Sequence, residues 1–171
     1  MKTIQELVPL IQEWAKERGI FDKSTPFDQL LKTHEEVGEL IKSCHYNDKP
    51  AIQDAIGDTM ICLINYCHFI DLDVIKKIKQ AVEPSIFEPD IISNVIYVYN
   101  FLGRLIGINM RNECKNLSEP SEIRVFGVAF HLNKIALLEN TSLEECLNIA
   151  YNKIKNRKGK MINGKFVKDE K

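Results

Sequence analysis

Apolar residues return along this chain at every third or fourth position rather than every second, and that period predicts helices through most of its length. Ile4, Leu7, Val8, Ile11, Trp14 and Ala15 form the first stripe, over residues 3 to 18, with Thr3 as its N-cap and Gly19 as its stop. A loop from Ile20 to Thr25 follows, and Pro26 opens a second helix that runs to about Cys44. The polar turn from His45 to Pro50 is short, so a third helix, from Pro50 to about Ile70, packs antiparallel to the second. Asp71-Leu72-Asp73 caps a short helix to about Ala81 that ends before Pro84. Beyond Pro89 come two long apolar helices, about 90 to 110 and 121 to 138, parted by Asn112 to Pro120. Thr141-Ser142-Leu143-Glu144-Glu145 is a capping-box style start for a last helix to about Asn156. The tail Met161 to Val167 reads as a small β-hairpin, because Asn163-Gly164 suits a type I′ turn. The expected fold class is all-α: an antiparallel helical bundle in a single domain, 1 to 171, with a short C-terminal hairpin.

The chain has 171 residues, enough to bury a real core. Lys plus Arg is 23 and Asp plus Glu is 24, for a net charge of −1. That balance gives no basic excess for nucleic acid and no acidic tract for disorder. An amphipathic pattern begins at once, and the longest apolar run is expected to fall far below a membrane span, so a soluble, cytoplasmic protein with no membrane partner is expected. Cys44, Cys62, Cys67, Cys114 and Cys146 are odd in number, include no CxxC pair and fall mostly in apolar stretches, as reduced core thiols would. His34, His45, His68 and His131 show neither HExxH nor a repeated spacing, and each is expected at the surface or satisfied in the core.

The candidate chemistry lies on the second and third helices. Glu35, Glu36 and Glu39 are followed by Asp54 and Asp58, and Glu36/Glu39 (i, i+3) and Asp54/Asp58 (i, i+4) each project from one helix face. Two packed helices then aim carboxylates at one region, where like charges repel unless a cation or a set of donors lies between them. From Thr59 to Ile70 there is no Asp, Glu, Lys or Arg, so Asp58 starts a buried segment in which an unpaired carboxylate is costly. Metal ligation is one remedy and a buried Lys or Arg another. The plain alternative is a solvated acidic face with Asp58 favoured by the helix dipole. Lys153 and Arg157, also i and i+4, form a basic pair that either neutralises phosphate or favours its own helix C-terminus.

A faint internal echo is present. Val37-Gly38-Glu39-Leu40-Ile41 resembles Leu102-Gly103-Arg104-Leu105-Ile106, and Ile56-Gly57-Asp58 resembles Phe126-Gly127-Val128, with five extra residues between the second pair of glycines. In that alignment Glu39 becomes Arg104 and Asp58 becomes Val128, so a second copy has lost its acids. Chance likeness between amphipathic helices gives the same pattern.

Glu35-Glu36-x-x-Glu39, a Gly57-Asp58 on the next helix and Asn152-Lys153-Ile154-x-x-Arg157 resemble the all-α nucleoside triphosphate pyrophosphohydrolases of the MazG-like group. The closing run Ala150 to Met161, followed by Asn163-Gly164-Lys165-Phe166, resembles the small MazG-like proteins of phages and their hosts. The likeness covers about residues 1 to 72 and 141 to 169, leaving 73 to 140 as an insertion or the degenerate duplicated segment. It implies hydrolysis of a nucleoside triphosphate to monophosphate and pyrophosphate, with Mg2+, or Mn2+ in its place, held by Glu36, Glu39, Asp58 and, with a shorter arm, Asp54. Glu35 would orient the site or the attacking water. Lys153, Arg157, Asn152 and Lys158, with Lys160 in support, would bind the phosphates, and Trp14 or Phe27 would stack on the base. The family pattern is ExxD, and Ala55 stands where its glutamate belongs, so metal number and activity both turn on Asp54. Phosphoribosyl-ATP pyrophosphohydrolase shares the scaffold, and a catalytically silent nucleotide-binding or scaffold protein is the alternative outside enzymes. Relatives complete their core by pairing, which implies a homodimer or homotetramer.

Overall fold

The computed structural model describes residues 1–83, 90–110 and 118–169, so Cys114, Pro84, Pro89 and the 112–117 part of the expected linker lie outside the described residues. Among the described residues the chain forms α1 (Ile4–Glu17), α2 (Ile20–Lys23), α3 (Pro26–His45), α4 (Lys49–Phe69), α5 (Val74–Ala81), α6 (Ile91–Met110), α7 (Ser118–Leu138), α8 (Leu143–Ile154), β1 (Gly159–Ile162) and β2 (Lys165–Lys168).

The helix starts follow the capping chemistry. Thr3 and Glu6 close a capping box on α1, Thr25 and Asp28 close one on α3 with Pro26 in the first turn, and Asp48, Asp73 and Ser142 cap α4, α5 and α8. Only Tyr46, Asn47 and Asp48 separate α3 from α4, so the two run antiparallel and pack along their lengths. Helix α4 is the centre of the molecule. Its side chains from Thr59 to Cys67 are all buried, and α1, α3, α7 and α8 surround it. Helices α6 and α7 form a second antiparallel pair, since Asn94 meets His131 while Phe101 lies against Gly127. Helix α5 packs on α7, and α6 packs beside α3.

Gly57 decides how closely α8 approaches α4. A Cβ there would collide with the Cys146 carbonyl and lie 2.6 Å from the Ala150 Cβ, so the missing side chain lets the two helices touch. At the far end of α8 the chain turns into the hairpin, where β1 pairs with β2 from Gly159↔Lys168 to Ile162↔Lys165. Asn163 (φ 50°) and Gly164 (φ 77°) make the expected two-residue turn. The hairpin folds back on the body: the Phe166 ring meets Trp14 edge-on at 5.7 Å, and Gly164 lies against the Asp28 carboxylate.

Three sequence expectations change. Ile20–Lys23, expected as loop, is a single helical turn, too short to show a period; its Ile20 is buried and Phe21 stacks on His68 at 3.8 Å. Helix α7 begins at Ser118, inside the expected linker, because Pro120 is tolerated in a first turn. Helix α6 is long and apolar enough to cross a membrane by length and composition, contrary to the expected shortness of apolar runs. Here it lies against α3 and α7 with Val95, Val98, Leu102 and Leu105 buried, while Ile92 and Ile96 stay exposed.

Candidate functional site

The acids of α3 part company. Glu36 turns toward α4 and is only 7% exposed, whereas Glu35 and Glu39, at the edges of the same face, are open to solvent. Across the interface α4 presents Asp54 and Asp58, both half-buried. The close approach at Gly57 then brings the end of α8 alongside, and Lys153 Nζ reaches Asp54 Oδ1 at 2.6 Å. Beyond that ion pair, Asp54 Oδ1 is buried with no hydrogen-bond partner. Arg157 follows one turn later, and its carbonyl accepts from Arg18 Nε at 2.9 Å, which ties the segment after α8 to the end of α1.

Asp58 sits in the field of all of these groups. Burial first, then the neighbouring charges of Asp54 and Glu36, push its carboxyl up to about 6, against a pull downward from Arg157 and Lys153. A second counter-charge comes from α3 itself: Lys32 Nζ lies 2.6 Å from Glu36 Oε1 and 2.9 Å from Glu35 Oε1. Burial alone would lower the Lys32 ammonium, but its hydrogen bonds to Glu36 and Glu35 outweigh that and hold it above the usual lysine range. Beneath the cluster the Cys62 thiol is pushed well up by burial and by Glu36.

The structure thus brings together Glu36, Asp54, Asp58, Lys153 and Arg157, with Glu35 joined to Glu36 through Lys32. Other sequence-derived candidates stand apart. Glu39 is exposed, and Asn152 is exposed and accepts from Lys155 Nζ at 2.8 Å. Lys158 and Lys160 are exposed on the tail, and Phe27 is exposed near the start of α3. Trp14 packs on Phe166, and its indole N–H is buried without a partner, as is Asn65 Oδ1 on α4. Ala55 is 4% exposed and turned into the core, so a glutamate at this position would start from a buried Cα. Sequence reasoning passed over Lys32, Arg18 and Asn65. Lys32 carried a signal, its i+3 and i+4 relation to Glu35 and Glu36.

Among the described residues no three Asp, Glu, His or Cys side chains converge on one point where a metal ion could sit, because Lys32 and Lys153 hold two of the carboxylates. Carboxylate oxygens are the donor type that a hard cation takes. All three inward acids are oxygen donors, Asp54 Oδ1 meets Lys153 alone, and Asp58 stays raised by burial, Asp54 and Glu36 against the pull of Arg157 and Lys153. Two of the histidines are engaged elsewhere, and the described thiols are free and buried, Cys62 beneath the cluster. His34 Nδ1 lies 2.8 Å from the Leu30 carbonyl, His131 Nδ1 lies 2.8 Å from Asn94 Oδ1, and Cys44, Cys62, Cys67 and Cys146 are free and buried.

No family model matches the chain, and no solved structure matches it. It is 36% identical over 64 residues to the "uncharacterized 18.2 kDa protein in rep-hol intergenic region" of Haemophilus phage HP1 (strain HP1c1). The match takes in 37% of this chain and 39% of that phage protein's length, and the relative's name assigns it no activity.

Proposed function

We propose that the chain is a magnesium-dependent nucleoside triphosphate pyrophosphohydrolase of the MazG-like type, converting a ribo- or deoxyribonucleoside triphosphate to its monophosphate and pyrophosphate. One observation carries the proposal: a half-buried carboxyl cluster, raised at Asp58 to about 6, lies against Lys153 near the end of α8 and Arg157 just beyond it. Acids that repel one another beside cations brought in from a different segment suit a ligand carrying both a metal and phosphates.

A magnesium ion bound here would screen phosphate charge and acidify a bound water; manganese, with the same preference for oxygen, would serve in its place. Glu36, Asp54 and Asp58 would supply its oxygen ligands. Lys153, a point charge, and Arg157, a planar fork, take up phosphate oxygens from the α8 side. Glu35, exposed beside Glu36, would accept a hydrogen bond from the attacking water and take its proton. The water oxygen forms a new bond to phosphorus as the bridging P–O bond between the α- and β-phosphates breaks, and its electron pair leaves with the oxygen of the departing group. The expected products are one monophosphate and one pyrophosphate per turnover, checked by phosphorus NMR of the reaction mixture. Glu36→Gln is expected to remove turnover while the far-ultraviolet circular dichroism stays helical. A nucleoside diphosphate with free phosphate, or full turnover in Glu36→Gln, would overturn the assignment.

A second reading, nucleotide binding without hydrolysis, is favoured by Ala55 and by the lysine contacts of Glu36 and Asp54. Magnesium-dependent nucleotide binding by calorimetry, with no new phosphorus signal, would select it. Phosphoribosyl-ATP belongs in the same substrate panel, and turnover of it alone would name that enzyme instead.

A further inference from the structure

We infer that the C-terminal hairpin is a DNA-binding ribbon whose outward face seats in the major groove of a DNA duplex. The net charge of −1 hides a strong segregation. Residues 153–168 hold seven of the chain's 23 Lys and Arg and none of its 24 Asp and Glu, so the other 155 residues set 16 cations against 24 acids and carry −8. Within that segment Lys153 and Arg157 act on the acids of α4. Lys155, Lys158, Lys160 and Lys168 are exposed, and among the described residues none of the four has an acidic partner. The acid that follows, Asp169, lies at the base of the hairpin, where its N–H donates to the Lys158 carbonyl at 3.1 Å, at the end away from the turn.

The register gives this charge a usable shape. Paired residues of an antiparallel ladder share a face, so Gly159, Met161 and Phe166 lie on one side and Lys160, Ile162 and Val167 on the other. The first side packs on the body through Met161 and Phe166. The second is bare: Lys160 is exposed, Ile162 and Val167 are 42% and 44% exposed, and Asn163 is exposed at the tip. Two strands about 5 Å apart form a ribbon that the major groove of B-form DNA, about 12 Å wide, admits. There lysines meet phosphates, aliphatic tips such as Ile162 and Val167 meet the thymine methyl, and asparagine is the side chain that pairs with adenine. Phe166 is turned onto Trp14, so the bare face offers unpaired bases no ring to stack on, and a duplex fits it better than a single strand. An anionic membrane would attract the same lysines, but two half-exposed aliphatic side chains give it little to bury.

The test titrates the full chain into a fluorescent DNA duplex of about 20 base pairs, starting at about 50 mM salt. Wild type is compared with Lys160→Gln, Lys168→Gln and the double variant Ile162→Ser, Val167→Thr, each checked for helicity by circular dichroism. Wild type is expected to bind the duplex and to lose roughly a hundredfold in affinity by about 200 mM salt, as four neutralised phosphates require. Each lysine variant is expected to lower the slope of log affinity against log salt by about 1. Uracil in place of thymine strips methyl groups from the major groove alone. That duplex is expected to bind wild type about fourfold more weakly, the worth of one buried methyl, and to make no difference to the double variant. An RNA duplex of the same sequence, whose major groove is too narrow to enter, is expected to bind more weakly than the DNA. The inference is overturned by no binding to the DNA duplex, by equal salt slopes in wild type and both lysine variants, or by indifference of wild type to uracil. Binding to a single strand, to the RNA duplex or to phosphatidylserine vesicles as tightly as to the DNA duplex would overturn it as well.

Discussion

Helices of 20 and 21 residues make up each of the two hairpins, α3 with α4 and α6 with α7, yet the two bury polar groups on different terms. In the α6–α7 half most of the buried polar groups are neutral and paired, with Lys134 the buried charge among the described residues. Tyr66 Oη from α4 shares a 2.9 Å hydrogen bond with Ser121 Oγ and accepts from Asn109 Nδ2 at 3.0 Å, and His131 pairs with Asn94 while stacked on Tyr97 at 4.6 Å. At the places that echo Glu39 and Asp58 stand an exposed Arg104, bonded to Asn100, and a buried Val128. In the α3–α4 half three carboxylates crowd together, one of their oxygens lacks a hydrogen bond, and two lysines neutralise them only in part. Satisfied polarity of the first kind rigidifies a core. Unrelieved charge of the second kind is kept at a cost in stability, and it marks the end of the molecule where a ligand is to be sought.

The glycines give the sharpest way to break the comparison. Gly57 and Gly127 occupy matching places in the echo but meet different neighbours, the backbone of α8 for Gly57 and the Phe101 ring, 2.6 Å from an added Cβ, for Gly127. Backbone cannot yield as a side chain can. Gly57→Ala is expected to cost about 3 kcal/mol or more in urea unfolding and to pull Lys153 away from Asp54. Gly127→Ala is expected to cost about 1–2 kcal/mol, since the ring can turn. Equal losses in the two would mean that the α4–α8 approach is not special.

Acidity separates the halves next. The Asp58 carboxyl is raised to about 6 in the fold from 3.8, so folding is penalised increasingly as pH rises from about 4 through 6, by roughly 2–3 kcal/mol in all. Burial lowers His131 from 6.5 to about 4, so its neutral form supports the fold above pH 6.5 and that support is lost as pH falls toward 4, by a similar amount. The two slopes oppose each other in the wild type. Asp58→Asn is therefore expected to leave stability that rises with pH between 4 and 6.5, and His131→Gln to leave stability that falls over the same window. Urea midpoints measured across that window check both signs, and parallel profiles for the two variants would remove the contrast.

The smallest effect is a gain. Gly103 lies on the exposed side of α6 with nothing within 4 Å of an added Cβ, so Gly103→Ala should stabilise by up to about 1 kcal/mol through helix propensity. A loss there, read from the same urea curves, would show that the outer face of α6 is closely covered.

Much of this architecture is local, and local features are legible in a sequence. Thr3, Thr25, Asp73 and Ser142 announce helix starts, and Asn163-Gly164 announces the hairpin, because each acts on neighbouring backbone only. The four-residue α2 is held by Ile20 and Phe21 against α1 and α4, and no period can reveal one turn. The same limit governs the site. Spacing places Glu36 and Glu39 on one face, but three residues advance a helix by about 300°, so one of the pair can lie at the centre of the α3–α4 seam while the other lies outside it. Only packing decides which, and it turns Glu36 in and Glu39 out. The meeting of Lys153 with Asp54 depends on the close approach of Gly57 to Cys146 and Ala150, residues about ninety positions away. Lys32 was visible throughout as an ordinary helix pair and acquires its interest from the burial of Glu36.

Pyrophosphate release from a panel of canonical and modified nucleoside triphosphates, with and without magnesium, for wild type beside Asp58→Asn, tests the central claim most directly. Release that requires magnesium and vanishes in Asp58→Asn, with helicity retained, is the predicted result. Undiminished release by Asp58→Asn, or none from any nucleotide by a folded wild type, would contradict it.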